Sequence, residues 1–238
     1  LKNMFNMSKQ NHAVFAPRIT ERYTSTTSVM RAWPGELLRW IVLFPPLWAL
    51  TRPSIHGSAQ FTGNGPYIFA ANHTSHLDTP LLLAALPLRL RLRLRAAAAA
   101  DYFFTSWWKG AFVTLLFNAF SFKRSGFAGL SYAQRLLKDG YSVLLFPEGT
   151  RSKDGQLQPF KCGIGRLALA THVCVVPVWI EGAHAAMPKG VCLAHPHQVE
   201  IRFGAPLQFA QGLDQASVVT AIEQQVRALA PQAENKGR

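Results

Sequence analysis

Charge is scarce in this chain, and acid scarcer still: 16% of its 238 residues are charged, with 12 Asp and Glu against 25 Lys and Arg. A usual soluble domain carries about 25% charged residues, so this chain falls well short of one. The resulting net charge of +13 suits an anionic partner, either a lipid surface or a phosphorylated substrate. Nucleic acid would accept the same charge, but helix-turn-helix, zinc-finger and RNA-binding signatures are lacking, and it is not expected as a partner. Cysteine is also sparse: Cys162, Cys174 and Cys192 are odd in number and unremarkable in spacing. They speak against a disulfide framework or a zinc site and for a reducing compartment. Residues 1–28 hold no apolar core of a signal peptide. Residues 1–31 are polar, aperiodic and begin with Leu. A flexible extension, a linker from a longer polypeptide, or a start at Met30 would each fit them. No internal repeat is present.

Long uninterrupted apolar runs are lacking too. From Ala32 to Leu50 the chain reads AWPGELLRWIVLFPPLWAL, with Glu36 and Arg39 near one end and Pro45 and Pro46 expected to break it. A spanning helix needs about 20 apolar residues. Residues 32–52 are therefore expected to form an interfacial anchoring helical segment, with Trp33, Trp40 and Trp48 at the headgroup boundary. A second apolar stretch, Tyr102 to Phe122, carries Trp107, Trp108 and Lys109 inside it and fits membrane contact or a buried helix pair under a lid. The expected location is peripheral, on the cytoplasmic face of a membrane rich in anionic lipid.

What is present in quantity is alternation of short apolar runs with helical patterns, the mark of an α/β fold. Tyr67–Ala71, Arg93–Ala100, Val143–Phe146 and Val173–Ile180 suit buried strands, and Val199–Gly204 an edge or half-exposed strand. Helical signals cover Pro80–Leu86, Gly129–Lys138, Lys161–Thr171 and Ser217–Leu229. The reading is a single domain over 53–238, with a mixed, largely parallel sheet flanked by helices. Within it LRLRLRLR, Leu88–Arg95, reads as a strand that places Arg89, Arg91, Arg93 and Arg95 on one face. Such a row is either a solvated edge protected from aggregation or a dock for lipid headgroups, coenzyme A phosphates or an acidic carrier protein.

Two polar clusters follow apolar strands, where open α/β sheets place their ligands. In the first, NHTSHLD (Asn72–Asp78), His73 and Asp78 can meet across a loop, the carboxylate holding the imidazole tautomer and stabilising the ring when it takes a proton. There is no serine or cysteine elbow nearby, so the base would activate a substrate hydroxyl directly. Ser75 to Asp78 also fits a helix capping box, though Pro80 sits awkwardly for a cap at Ser75. His76 is a second candidate base, and His73, His76 and Asp78 could be metal ligands, although the rest of a metal pattern is missing. In the second cluster, FPEGTRS (Phe146–Ser152), Gly149 permits a tight turn and Arg151 offers a planar fork to a phosphate. Glu148 could accept from a hydroxyl or orient the arginine. Lys123 and Arg124 in SFKRSG, and Lys161 and Arg166 around FKCGIGR, are further cations that a phosphate pocket could recruit.

NHTSHLD, SFKRSG, FPEGTRS and VVPVWIEG, in this order, closely resemble the glycerolipid acyltransferase family typified by 1-acylglycerol-3-phosphate acyltransferases. The resemblance runs from about Ala32 to Leu207. It implies His73 as general base with Asp78 as partner, and an acceptor-phosphate site shaped by Phe146, Pro147, Glu148, Gly149 and Arg151. Arg124 looks like the basic residue of the second block, with Lys161 as a further substrate-binding cation, and Val176 and Pro177 match an acyl-site or packing element. The implied reaction moves a fatty acyl group from acyl-CoA or acyl-carrier protein to a hydroxyl of lysophosphatidate or a related lysophospholipid, with no cofactor beyond that co-substrate. The Arg-alternating run and the Ala96–Ala100 stretch have no place in the family pattern. Two rivals remain: a metal-dependent hydrolase using His73, His76 and Asp78, and a non-catalytic basic lipid-binding module.

Overall fold

A computed structural model describes residues 33–60, 63, 65–103, 105–122 and 128–231. The expected extension, residues 1–31, and both cations of SFKRSG, Lys123 and Arg124, lie outside the described residues.

Four apolar runs become the strands β2 (Ile68–Ala71), β3 (Leu94–Ala99), β5 (Ser142–Leu145) and β6 (Val175–Glu181). Three more complete the sheet among the described residues: β1 (Ser54–His56), β4 (Ala119–Phe122) and β7 (Glu200–Phe203), in the order β1-β7-β6-β2-β5-β3-β4. The five strands from β6 to β4 are mutually parallel, and the β1 and β7 pair runs antiparallel to them. The expectation of a mixed, largely parallel sheet therefore holds. Because side chains alternate across a strand, Phe69, Ala71 and Leu144 enter one core layer, and Ile68, Ala70, Val143 and Leu145 the other. On the first side lie α1 (Trp33–Leu38), α2 (Phe44–Thr51) and α3 (Asp78–Ala85), followed by the single turn α4 (Leu88–Arg91). The turn α5 (Ala100–Phe103) and the helix α6 (Trp107–Phe117) follow β3. On the opposite side lie α7 (Ala128–Lys138) and α8 (Gly163–Thr171); after β6 come the turn α9 (Ala183–Ala186) and the last helix, α10 (Gln215–Ala228), which packs on that same layer.

Four expectations need correction. Leu88–Arg95 is not one strand: Pro87 starts the turn α4, whose amides bond back to its carbonyl, and extended backbone begins only at Leu94. The four arginines therefore share no face. Arg91 is buried and Arg95 lies over the Tyr141 ring at 4.3 Å. Val199–Gly204 is half-exposed as expected but not an edge, since β7 lies between β1 and β6. Pro45 and Pro46 do not break the first apolar segment. They follow Arg39–Leu43, which widens to a π-helix with Phe44 N–H reaching back to the Arg39 carbonyl, and helical backbone continues through them to Thr51. Finally, the second apolar stretch contains a strand, β4, as well as helix. No helix among the described residues is long and apolar enough to cross a membrane.

Candidate functional site

β2 and β5 are paired neighbours, in the register Ile68↔Val143 and Ala70↔Leu145. The loops that leave their carboxyl ends, 72–77 and 146–152, thus stand side by side, although about 70 residues separate them in the chain.

Within the first loop, His73 Nδ1 lies 2.8 Å from Asp78 Oδ2. The same carboxylate oxygen accepts from the backbone N–H of Thr74 at 2.7 Å and of Ser75 at 2.9 Å. Asp78 is fully buried at the first position of α3, and no side-chain cap forms on that helix. One arm of the capping box is therefore present, Asp78 accepting from Ser75 N–H, and the other is not; the same carboxylate also serves Thr74 N–H and the imidazole. Ser75 Oγ instead accepts from Leu77 N–H and donates to the Met187 carbonyl. With a carboxylate on Nδ1, that nitrogen carries the ring proton and Nε2 presents its lone pair. The ring stacks on Phe146, centroids 3.9 Å apart and planes 15° off parallel, which ties its orientation to the second loop.

The loops are also joined through the backbone. His73 N–H donates to Glu148 Oε1 at 2.6 Å, and the His73 carbonyl accepts from Ser152 N–H at 2.8 Å. Glu148 Oε2 accepts from Gln158 N–H at 3.0 Å. Burial pushes the Glu148 carboxyl up to about 7 against the opposing effect of these two amides. His76 moves the other way: burial first, then the positive charge of Arg151, lower it to about 4, so its ring is neutral near pH 7.

A cleft of about 910 Å³ opens beside His73. One end is polar, with His73, His76, Arg151 and Lys189. The remainder runs along Ala96–Ala99 of β3 beneath Trp108, Phe112 and Phe117 of α6. Gly149 lines the cleft with φ +75°, a left-handed conformation that favours glycine; the Lys161 ammonium beside it is the end of a flexible side chain and could give way to a Cβ. Arg151 Nη1 is buried without a hydrogen-bond partner among the described residues. A planar guanidinium so placed suits a phosphate, and a histidine with a carboxylate on its far nitrogen can take a proton from a hydroxyl.

The structure thus brings together His73, Asp78, Gly149 and Arg151. Glu148 has its oxygens on the backbone amides of His73 and Gln158, and Lys161 packs beside Gly149 without joining the cleft lining. Val176 and Pro177 sit in β6 opposite Phe69 and Ala70, inside the core. Sequence reasoning did not single out Thr79, Lys189 or the role of the alanine run as cleft floor. A run of small residues on a buried strand was the available signal for the floor. Among the described residues, no group of three or more His, Cys, Asp and Glu side chains could hold a metal ion.

The profile of the family described as Acyltransferase matches residues 52–181, more than half of the chain. A 1-acyl-sn-glycerol-3-phosphate acyltransferase of Limnanthes douglasii is 42% identical over 66 residues, covering 28% of this chain and 24% of that protein. The human 1-acyl-sn-glycerol-3-phosphate acyltransferase alpha is 30% identical over 150 residues, 60% of this chain and 50% of that protein. The matched region therefore spans between a quarter and a half of the length of these relatives. The crystal structure of the 1-acyl-sn-glycerophosphate acyltransferase PlsC from Thermotoga maritima superposes with a TM-score of 0.63 at 22% identity, covering 87% of this chain and 88% of that one, a likeness of fold. With the profile match spanning the β2 and β5 loops and the strands that carry them, the chain belongs to the acyltransferase family.

Proposed function

We propose that this chain transfers a fatty acyl group from a thioester, acyl-CoA or acyl-carrier protein, to a hydroxyl of lysophosphatidate or a closely related glycerophosphate lipid. The observation that carries the reading is the His73–Asp78 pair, 2.8 Å apart, with His73 lining a cleft that also holds Arg151, Lys189 and the apolar side chains of β3 and α6. His73 Nε2 takes the proton of the acceptor hydroxyl as the oxygen attacks the thioester carbonyl carbon. Asp78 stabilises the imidazolium formed. The tetrahedral intermediate then collapses, breaking the carbon–sulfur bond, and the departing thiolate takes the proton back from His73. General-base help of this kind supplies about a hundred- to ten-thousand-fold, and positioning by Arg151 on the acceptor phosphate adds to it. The acyl chain lies along Ala96–Ala99. Names of the relatives, which act on 1-acylglycerol-3-phosphate, support this acceptor class.

The protein works at a membrane surface, on its cytoplasmic face. Support comes from the exposed apolar side chains of α1 and the turn after it (Trp33, Leu37, Trp40 and Ile41) and of the adjoining α6, where Trp107 is 85% exposed. Patches of this kind on a small protein mark a docking surface.

The test is thiol release from palmitoyl-CoA with a panel of acceptors. His73→Ala is expected to retain under about a hundredth of wild-type release with an unchanged far-UV circular dichroism spectrum. Substantial activity in that variant would remove His73 from the reaction.

A further inference from the structure

Resting on the acceptor proposed above, we infer that Lys189 is the second cation of the acceptor-phosphate site, paired with Arg151. Lys189 Nζ donates to Thr150 Oγ1 at 3.2 Å and to the Arg151 carbonyl at 3.0 Å. The ammonium is thereby fastened to the loop that carries the Arg151 guanidinium, and both residues line the cleft with His73. Its own segment is fastened as well: the carbonyl of Met187, two residues before it, accepts from Ser75 Oγ at 2.8 Å, in the loop that holds His73. Lys189 is thus tied to both loops of the site.

Among the described residues, neither Lys189 nor Arg151 forms an ion pair. Two half-buried cations lining one cleft from adjoining segments repel unless an anion lies between them, and each retains donor capacity for it. The guanidinium fork can take two phosphate oxygens and the compact ammonium a third, which together match a phosphate monoester dianion.

Phosphate could come from either substrate. In a glycerophosphate only a short carbon link separates the phosphate ester from the hydroxyl that must reach His73. In acyl-CoA the phosphates lie at the far end of the pantetheine arm from the reacting thioester. A cation pair held on the loop that grips His73 therefore fits the acceptor. Lys161, one of the further cations singled out in the sequence, is beside Gly149 and outside the cleft lining.

The experiment measures thiol release by the full chain while short-chain lysophosphatidate and palmitoyl-CoA are varied in turn. Lys189→Gln is expected to raise the KM for lysophosphatidate about tenfold, with kcat and the KM for palmitoyl-CoA moved by less than about threefold, and Lys189→Arg to restore most of the loss. An unchanged acceptor KM overturns the inference, and so does a rise confined to palmitoyl-CoA, which would give the cation to the donor. Binding of the same lysophosphatidate measured by calorimetry without donor separates the two proposals. Wild-type binding without turnover counts against the reaction, whereas equal binding by wild type and Lys189→Gln counts against Lys189 alone.

Discussion

Glu148 grips the peptide of His73 from behind, and the grip has a pH signature. The residue is 3% exposed, and its carboxyl is pushed by burial up to about 7. A folded-state value above the unfolded one means the folded form holds its proton longer, so its contribution is complete below the ordinary carboxylate range and is lost as pH rises toward 7. Wild-type Tm should therefore fall between pH 5 and pH 8 by more than that of Glu148→Gln, which has nothing to titrate there. Parallel curves for the two proteins would mean that Glu148 does not titrate in that window. The same substitution should lower kcat more than it raises the acceptor KM, because the carboxylate touches the loop amides rather than the cleft. At this scale, legibility followed distance along the chain. His73 and Asp78 are five residues apart, so a loop and a helix start sufficed to bring them together. Glu148 meets His73 across 75 residues, and nothing local in the sequence reveals a backbone partner on another loop.

The elements that roof the cleft are bolted down by buried charge. Glu36 on α1 is 1% exposed and pairs with Arg39 Nη2 at 2.8 Å and Arg91 Nη2 at 2.6 Å. Arg39 also donates to the carbonyls of Leu115 and Leu116 at the end of α6, and Arg91 to those of Leu83 and Leu86 at the end of α3. Cations are favoured at helix carboxyl ends, so one carboxylate can hold two guanidinium groups there. Burial nonetheless pulls Arg39 below its ordinary range. Glu36→Ala would leave both cations buried with no counter-charge and should cost about 3 kcal/mol or more in urea denaturation. A loss of under half a unit would show that the helix ends alone carry the arginines. The close approach behind this arrangement needs Gly35, where a Cβ would collide with the Leu115 carbonyl. The Leu-Arg repeat was misread at this level. Its period of two is real, but Pro87 imposes a turn and Glu36, 55 residues upstream, draws Arg91 inward, neither of which a periodicity argument weighs. The long helices were legible because each carries its own apolar pattern.

Across the whole molecule, α1 and α6 adjoin and expose tryptophan and aliphatic side chains on a chain of strongly positive charge. Leu37→Glu with Ile41→Glu, two exposed positions outside the cleft lining, should weaken sedimentation with anionic vesicles at least about tenfold. Thiol release from soluble short-chain substrates should be unaffected. Equal sedimentation of variant and wild type would move the docking surface elsewhere. The strands of the sheet were mostly visible in the sequence as apolar runs. Their order was not, because pairing between β2 and β5 is a contact across the chain, and only that pairing makes one crevice of two loops. The backbone of His73, held at its N–H by Glu148 and at its carbonyl by the Ser152 amide, carries that union down to single bonds. Loops 72–77 and 146–152 are consequently one inheritable unit. A chimera of two such enzymes with a crossover between them keeps this set of hydrogen bonds only where the parent that supplies the second loop has a glutamate at position 148.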